Sequence, residues 1–481
     1  MFIDGKWTIS DKTRDVINPA DGSILAKVYE GDEKTVQTAA LVAKKAFAGW
    51  SKISVVERAN LLNKIADLIN ENFEEFAAID TANNGKPLRD SRGDVADSIA
   101  CFRYYAGLID KPHGQTYYTA DPNNEAIVVR EPIGVCGQIV PWNYPLMMSA
   151  WKLAPCLAAG NTVVFKPSTL TPLSALKLFE IFEKAGLPKG VANLVMGPGS
   201  TVGEEIAKNI LIEKVAFTGG TDTGRAIMKA ATGNMKGISL ELGGKSPCIV
   251  FDDSDFEAAV DWSLFAIFCN QGEVCSAGSR LILQDTIYDK FLDSLVARAK
   301  KIKVAKGTEE GAEMGPLVSE THMKKVLEYI EIAKKEGARL LCGGNRITDG
   351  DFAKGYFVSP TIFADCKPDM TIVKEEIFGP VLAVQKFRTE QEAVDLANDT
   401  VYGLAAGVFS NDITRALKVI KAVRAGITWV NSYHPTFAQA PWGGYKQSGI
   451  GRELGTFGLD EYTEIKQINI NLAPGPIGWF K

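Results

Sequence analysis

Histidine is nearly missing from this chain: three residues in 481, His113, His322 and His434, none of them in a recognisable triad motif. That scarcity disfavours a hydrolase that pairs a cysteine with a histidine. The eight cysteines include no CxxC or other metal spacing, so free thiols in a reducing compartment are expected, without disulfides and without a required metal. Basic blocks are also lacking. The 53 Lys and Arg are dispersed against 58 Asp and Glu, for a net charge of −5, which removes the footprint of a nucleic-acid binder and favours a small-molecule partner. No run of about eighteen apolar residues occurs, and MFIDGKWTIS has no basic region followed by an apolar stretch. The expectation is a cytoplasmic protein with no membrane partner.

The length suffices for roughly two to four domains. Apolar residues recur at three and four over Val36–Trp50, Glu57–Asn72 and Val95–Gly107, which predicts amphipathic helices. From residue 126 short β-branched runs alternate with helical patterns: AIVVREP, VCGQIVP, NTVVFKP, ANLVMG, KVAFTGG, CIVFDD and RLILQD. That alternation predicts α/β layers with parallel sheets. Thr116–Pro132 and Glu461–Ile470 read instead as extended strands outside the pattern, and suit a projecting sheet used for assembly.

Three glycine-rich segments call for weighing. ELGGKS ends like a phosphate-binding loop, but that motif needs glycine five residues before Gly244, where Ser239 stands, so a kinase or ATPase is disfavoured. MGPGSTVG supplies Gly197, Gly199 and Gly203 after a strand, close to a dinucleotide fingerprint with one residue too many in the second gap. A second strand, KVAFT, runs into GGTDTGRAIMKAA, where a helix start offers unpaired N–H groups to a phosphate. Ordinary strand-to-helix turns would look the same.

Cys275 lies in NQGEVCSAGSR, a glycine-bracketed loop between a helix ending near Cys269 and a strand beginning at Arg280. A free thiol is only about 3% thiolate at pH 7, yet strongly nucleophilic once deprotonated, so its neighbours decide whether it reacts. Glu241, flanked by Leu240 and Leu242 and followed by two glycines, is a carboxylate in apolar company, with the raised pKa that suits a general base. Asn143 in PWNYP carries a neutral amide able to donate to an oxyanion, although turn-forming Asn is common in such a setting.

PWNYP, FTGGTDTG, ELGGKSP, the Cys275 loop, EEIFGP and PWGGYKQSGIGRELG follow one another as in the aldehyde dehydrogenase superfamily, and the resemblance covers essentially the whole chain. It implies an α/β fold with a Rossmann-like dinucleotide-binding domain (1–112 and 133–247), an α/β catalytic domain (248–459) and a small β oligomerisation extension (113–132 and 460–481). Homodimers or homotetramers are the family norm. By the same resemblance Cys275 is the nucleophile that gives a thiohemiacetal and then a thioester, Asn143 holds the oxyanion, and Glu241 activates the hydrolytic water. Glu453 matches an acidic residue proposed to relay protons. Hydrolysis by Glu241 implies a free acid rather than transfer to coenzyme A.

The cofactor carry-over places Lys166 on the adenosine ribose and the turn of Phe217, Thr218, Gly219, Gly220, Thr221 and Gly224 on the pyrophosphate, with Gly199 and Gly203 from the first glycine turn. Glu376 and Phe378 fall around the nicotinamide ribose and ring, and Ile139, Pro141, Trp142 and Leu242 along the same cleft. One position departs from the pattern. Thr169 in KPST stands where NAD-preferring members often carry glutamate, so Lys166, Ser168 and Thr169 leave room for a 2′-phosphate and dual use of NAD and NADP is expected.

Tyr144 and Trp151, seven residues apart on the helix after PWNYP, share a face and are similar to two walls of the cation cage in betaine aldehyde dehydrogenases. Trp442 matches a third wall, while Cys269 stands where plant members have another tryptophan, which implies a wider pocket. SYHPTFAQAPWGG resembles the Gram-positive bacterial forms, with His434 at the pocket entrance. The implied reaction is oxidation of betaine aldehyde to glycine betaine. An aminoaldehyde or a broad range of aliphatic and aromatic aldehydes is the alternative, and from another class a noncatalytic protein retaining the fold, which the presence of Cys275, Glu241 and Asn143 disfavours.

Overall fold

A computed structural model describes residues 1–111 and 114–480. The expected boundary between 112 and 113, together with His113 and Lys481, lies outside the described residues. The amphipathic N-terminal region forms four helices, Glu33–Trp50, Val55–Glu71, Phe73–Asn84 and Leu88–Leu108. Capping boxes start the first two: Asp32 and Thr35 exchange hydrogen bonds, as do Ser54 and Glu57. The third was not anticipated, because its buried face is largely polar, with Asp80, Thr81, Asn83 and Asn84 inside. The fourth begins seven residues earlier than its apolar period, since Pro87 sets its start and buried Ser91 and Asp94 interrupt the pattern.

The larger sheet has eight strands in the order Gly449–Ile450, Gly237–Glu241, Lys214–Thr218, Val135–Ile139, Thr162–Lys166, Ala192–Leu194, Phe2–Ile3 and Lys6–Trp7. Its five central strands are parallel. Taken in chain order from Val135–Ile139 they run 3-2-1-4-5, so the direction of winding reverses between Val135–Ile139 and Lys214–Thr218. Ligands of doubly wound sheets bind beyond the carboxyl ends of the strands at such a reversal. PWNYP and FTGG emerge at that place.

A second sheet has seven strands, in the order Arg339–Cys342, Thr361–Ala364, Val381–Phe387, Arg280–Gln284, Pro247–Val250, Ala405–Phe409 and Ile427–Val430. All neighbours are parallel except the first pair. Its central strand Arg280–Gln284 follows the Cys275 loop. The two extended stretches meet in a third sheet, where Thr463–Asn471 pairs antiparallel along the whole of Asn124–Pro132, and Gln115–Tyr118 adds to the other edge. A turn at 119–123 splits the segment read as one extended run. Among the described residues no helix is long and apolar enough to cross a membrane.

Candidate active site

Three distant segments meet at the glycine pair of ELGGKS. A Cβ on Gly243 would collide with the Glu376 carboxylate, and one on Gly244 would sit 2.6 Å from the Cys275 carbonyl oxygen. The Gly244 N–H donates to Glu376 Oε1 at 3.0 Å. Loss of two side chains therefore lets the ends of both sheets close on one another around Cys275.

Cys275 is partly buried at the wall of this junction. Burial pushes its thiol up to about 12, with the Glu376 and Glu241 carboxylates adding in the same direction and the N–H groups of Ser276 and Cys275 opposing. The thiol is thus neutral at pH 7 until a base or a positive charge arrives. Asn143 is buried, and its Nδ2 donates to the Glu273 backbone carbonyl at 2.9 Å while the Asn143 backbone carbonyl accepts from Asn270 Nδ2 at 3.1 Å. One hydrogen of that amide is anchored, and the second is left for another acceptor.

Glu241 ends a central strand with its side chain buried, and its Oε2 has no hydrogen-bond partner among the described residues. Burial holds it well above the usual carboxylate range, and the neighbouring Glu453 charge raises it further, against Lys152 and Arg452. Glu453 is ion-paired to Lys152, both buried, and its other oxygen is free of partners among the described residues. Glu453 and Trp442 exchange backbone hydrogen bonds, each 2.7 Å. The Lys152 carbonyl accepts from Gln138 Nε2, which also reaches Tyr462 Oη. Lys152 was missed in the sequence, although one lysine inside the otherwise apolar helix Pro145–Ala159 is a visible signal.

Of the residues expected at a cofactor, Ile139 and the segment 217–220 stand at the carboxyl ends of the two strands where the winding reverses, whereas Glu376 and Phe378 come from a loop of the second sheet. The helix Thr221–Ala230 begins at Gly220 without a side-chain cap, so its first N–H groups are open to an anion. Buried Thr218 Oγ1 lacks a partner among the described residues, and a Cβ on Gly220 would meet nothing within 4 Å. Gly219 N–H binds the Glu241 carbonyl, Phe217 packs against Gly219, and Gly224 leaves room for Leu242. A space bordered by free donors suits a pyrophosphate. The extra residue in MGPGSTVG is absorbed by a widened turn at Gly199–Gly203, closed by a Gly203-to-Pro198 bond, which brings Gly203 near Ile139 and the Lys166 stem.

Lys166 is buried, donates among the described residues only to the Pro167 carbonyl at 3.2 Å, and is lowered by burial to about 8. Ser168 and Thr169 beside it are half-buried. At the other end Trp142, next to half-buried Pro141, packs edge-on against Phe378 at 5.2 Å and against His322 at 5.1 Å. Burial lifts the Glu376 carboxyl to about 7. Phe378 adopts φ +63°, and His322 Nε2 lies 2.6 Å from its carbonyl oxygen. His322, held neutral by burial with a pKa near 4, was not singled out in the sequence, because its contacts are 56 residues away.

Of the aromatic walls, Trp151 and Trp442 meet edge to face at 5.4 Å, and Trp429 extends the group. Tyr144 has a cation already in place: Lys86 Nζ stands 3.9 Å from its ring centre and 2.6 Å from Asp94 Oδ2. His434 lies beside the Cys275 loop, with Nδ1 3.3 Å from Ser276 Oγ and Nε2 3.0 Å from the Ala266 carbonyl. Burial keeps it neutral, with a pKa near 4, so Nε2 donates to Ala266 and Nδ1 accepts from Ser276. A cavity of about 730 Å³ reaches Cys269 and is walled by Trp262, Phe265, Phe268 and Asp90.

The aldehyde dehydrogenase family model matches residues 7–468, and the chain belongs to this family of oxidoreductase enzymes. The betaine aldehyde dehydrogenase of Bacillus subtilis is 51% identical over all of this chain and 99% of its own length. Human mitochondrial aldehyde dehydrogenase is 47% identical over 98% of the chain and 92% of its own. A crystal structure of Staphylococcus aureus betaine aldehyde dehydrogenase in complex with NAD+ superposes with a TM-score of 0.98 at 46% identity, covering 100% of this chain and 96% of that one. The architecture above is therefore the aldehyde dehydrogenase fold.

Proposed function

We propose that the chain oxidises betaine aldehyde to glycine betaine with NAD or NADP, through acylation and hydrolysis at Cys275. The observation that supports the chemistry is the closure at Gly243 and Gly244, which brings the Glu376 carboxylate against the Cys275 loop, where the Glu376 and Glu241 charges both act on the Cys275 thiol. Support for the substrate comes from the betaine aldehyde dehydrogenases among the relatives and from the Trp151–Trp442 pair, whose faces attract a desolvated quaternary ammonium by about 0.5 to 2 kcal/mol each.

In this reading the Cys275 thiolate adds to the aldehyde carbon, and the resulting oxyanion is held by the Asn143 amide and the Cys275 backbone N–H. Lys166, the Gly219–Gly224 turn, Glu376 and Phe378 hold the dinucleotide, whose oxidised nicotinamide, when bound, accepts hydride and favours the thiolate by its positive charge. Glu241 then takes a proton from the water that attacks the thioester carbon. The C–S bond breaks, Cys275 is regenerated and the acid leaves. Glu453 and Lys152, buried behind Glu241, carry the proton away.

A second reading, in which bulkier aliphatic or aromatic aldehydes or aminoaldehydes also enter, rests on the small Cys269 side chain six residues before Cys275, at the wall of an open cavity. The division into a dinucleotide domain (1–112, 133–247), a catalytic domain (248–459) and an assembly sheet (113–132, 460–481) is part of the proposal, as is a cytoplasmic homodimer or homotetramer. The exposed Tyr118, Ile465 and Ile468 on that sheet support assembly. Glu241→Gln is expected to release one equivalent of reduced cofactor at 340 nm and then stall, with intact mass showing acyl-Cys275, whereas Cys275→Ala gives no burst. Normal cycling by Glu241→Gln would remove Glu241 from the mechanism.

A further inference from the structure

The adenosine end of the cofactor cleft has Thr169 in place of a carboxylate, yet a carboxylate is close by. The N-terminal hairpin of Thr13–Ile17 and Ile24–Tyr29 leads directly into Glu30 and Gly31. Gly31 N–H donates to the Met196 carbonyl at 2.8 Å, and the Gly31 carbonyl oxygen lies 3.1 Å from where a Cβ on Gly197 would sit. Hairpin and first glycine turn are thus stitched together. In the adjacent strand Val195 N–H binds the Phe165 carbonyl at 2.9 Å, one residue before Lys166. Glu30 is buried and ion-paired to Arg14 Nε, while Arg14 itself is well exposed, its side chain 41% accessible. The Glu30 charge acts on the Lys166 ammonium, opposing the effect of burial.

We propose that Glu30 and Arg14 complete the adenosine-ribose site and set its cofactor preference. Glu30 accepts the ribose 2′-hydroxyl of NAD, and the Arg14 guanidinium receives the 2′-phosphate of NADP. The inference rests on the cofactor-cleft reading above. Two cations, Arg14 and Lys166, face one anion, Glu30, so a phosphate dianion gains more attraction than repulsion once Arg14 turns from Glu30 towards it. A hydroxyl leaves the Arg14–Glu30 pair intact and uses the remaining acceptor capacity of the carboxylate.

Equilibrium titrations of the full-length protein with NAD+ and with NADP+, followed by quenching of tryptophan fluorescence, test this without turnover. Glu30→Gln is expected to weaken NAD+ about tenfold, the factor for one charge-assisted hydrogen bond, and to leave NADP+ equal or tighter. Arg14→Gln is expected to weaken NADP+ about tenfold more than NAD+. The ratio of the two dissociation constants within one protein cancels any loss of folded fraction. The double variant, which leaves neither charge unpaired, is expected to bind both weakly. Ratios that stay within about twofold of the native value in both single variants would overturn the proposal while leaving the cofactor cleft standing. Native protein that binds neither dinucleotide would overturn the cleft as well.

Discussion

Glu453→Gln tests the buried proton route through a change in pH dependence whose sign is fixed. In the proposed mechanism Glu241 must be ionised to act as a base, so deacylation is expected to rise with pH through its folded pKa, which burial and then the Glu453 charge hold above the usual range. Removing a like charge from beside a buried carboxylate is in general worth on the order of 1 to 3 kcal/mol at an effective dielectric near 20, enough to move a titration by about one to two pH units. Loss of the Glu453 charge, while Lys152 keeps its positive charge, moves the acid limb of the kcat profile to lower pH by about one to two units. Lys152→Met has the opposite sign and moves the limb upward. Both variants break a buried pair and lose about 3 to 5 kcal/mol of stability, so melting curves accompany the kinetics. The limb position is independent of the amount of folded enzyme. The assay is steady-state NADH formation from pH 5.5 to 10, with a stopped-flow burst at each end to verify that hydrolysis limits. A limb that stays in place, or moves upward in Glu453→Gln, refutes electrostatic coupling between Glu453 and Glu241.

Two further outcomes follow from the geometry. Trp442→Ala is expected to raise KM for betaine aldehyde about tenfold more than for a neutral aldehyde of similar size, the share of one desolvated ring face. Equal losses in steady-state kinetics would reject the cation cage. Gly244→Ala places a Cβ 2.6 Å from the Cys275 carbonyl oxygen and 3.2 Å from Leu404 Cβ, so a loss of about 1 to 3 kcal/mol and a strongly reduced burst are expected. A native melting temperature together with a native burst would show that the contact yields freely.

Cys275, Glu241 and the glycine turns were legible because their signals are local: small residues, strand ends and turn chemistry adjacent in the chain. The parallel sheets were legible for the same reason, as each strand is a short β-branched run. The helix Phe73–Asn84 was not, since tertiary packing buries its polar side chains and erases the apolar period. Lys152, Lys86 and His322 escaped because each acquires its meaning from partners 301, 8 and 56 residues away, a carboxylate or a carbonyl that only the fold brings near. Gly203 was read as one residue out of register with a dinucleotide fingerprint, and a widened helical turn takes up the difference.

The paired backbone rungs that join Trp442 to Glu453 couple two tasks that are usually separable. In the proposed mechanism a substitution that reshapes the Trp442 wall also tugs on the segment bearing the relay carboxylate Glu453, so variants selected for new substrates are expected to arrive with altered hydrolysis rates. Broadening selectivity without slowing release of the acid then requires compensating changes around Lys152, on the far side of the same carboxylate.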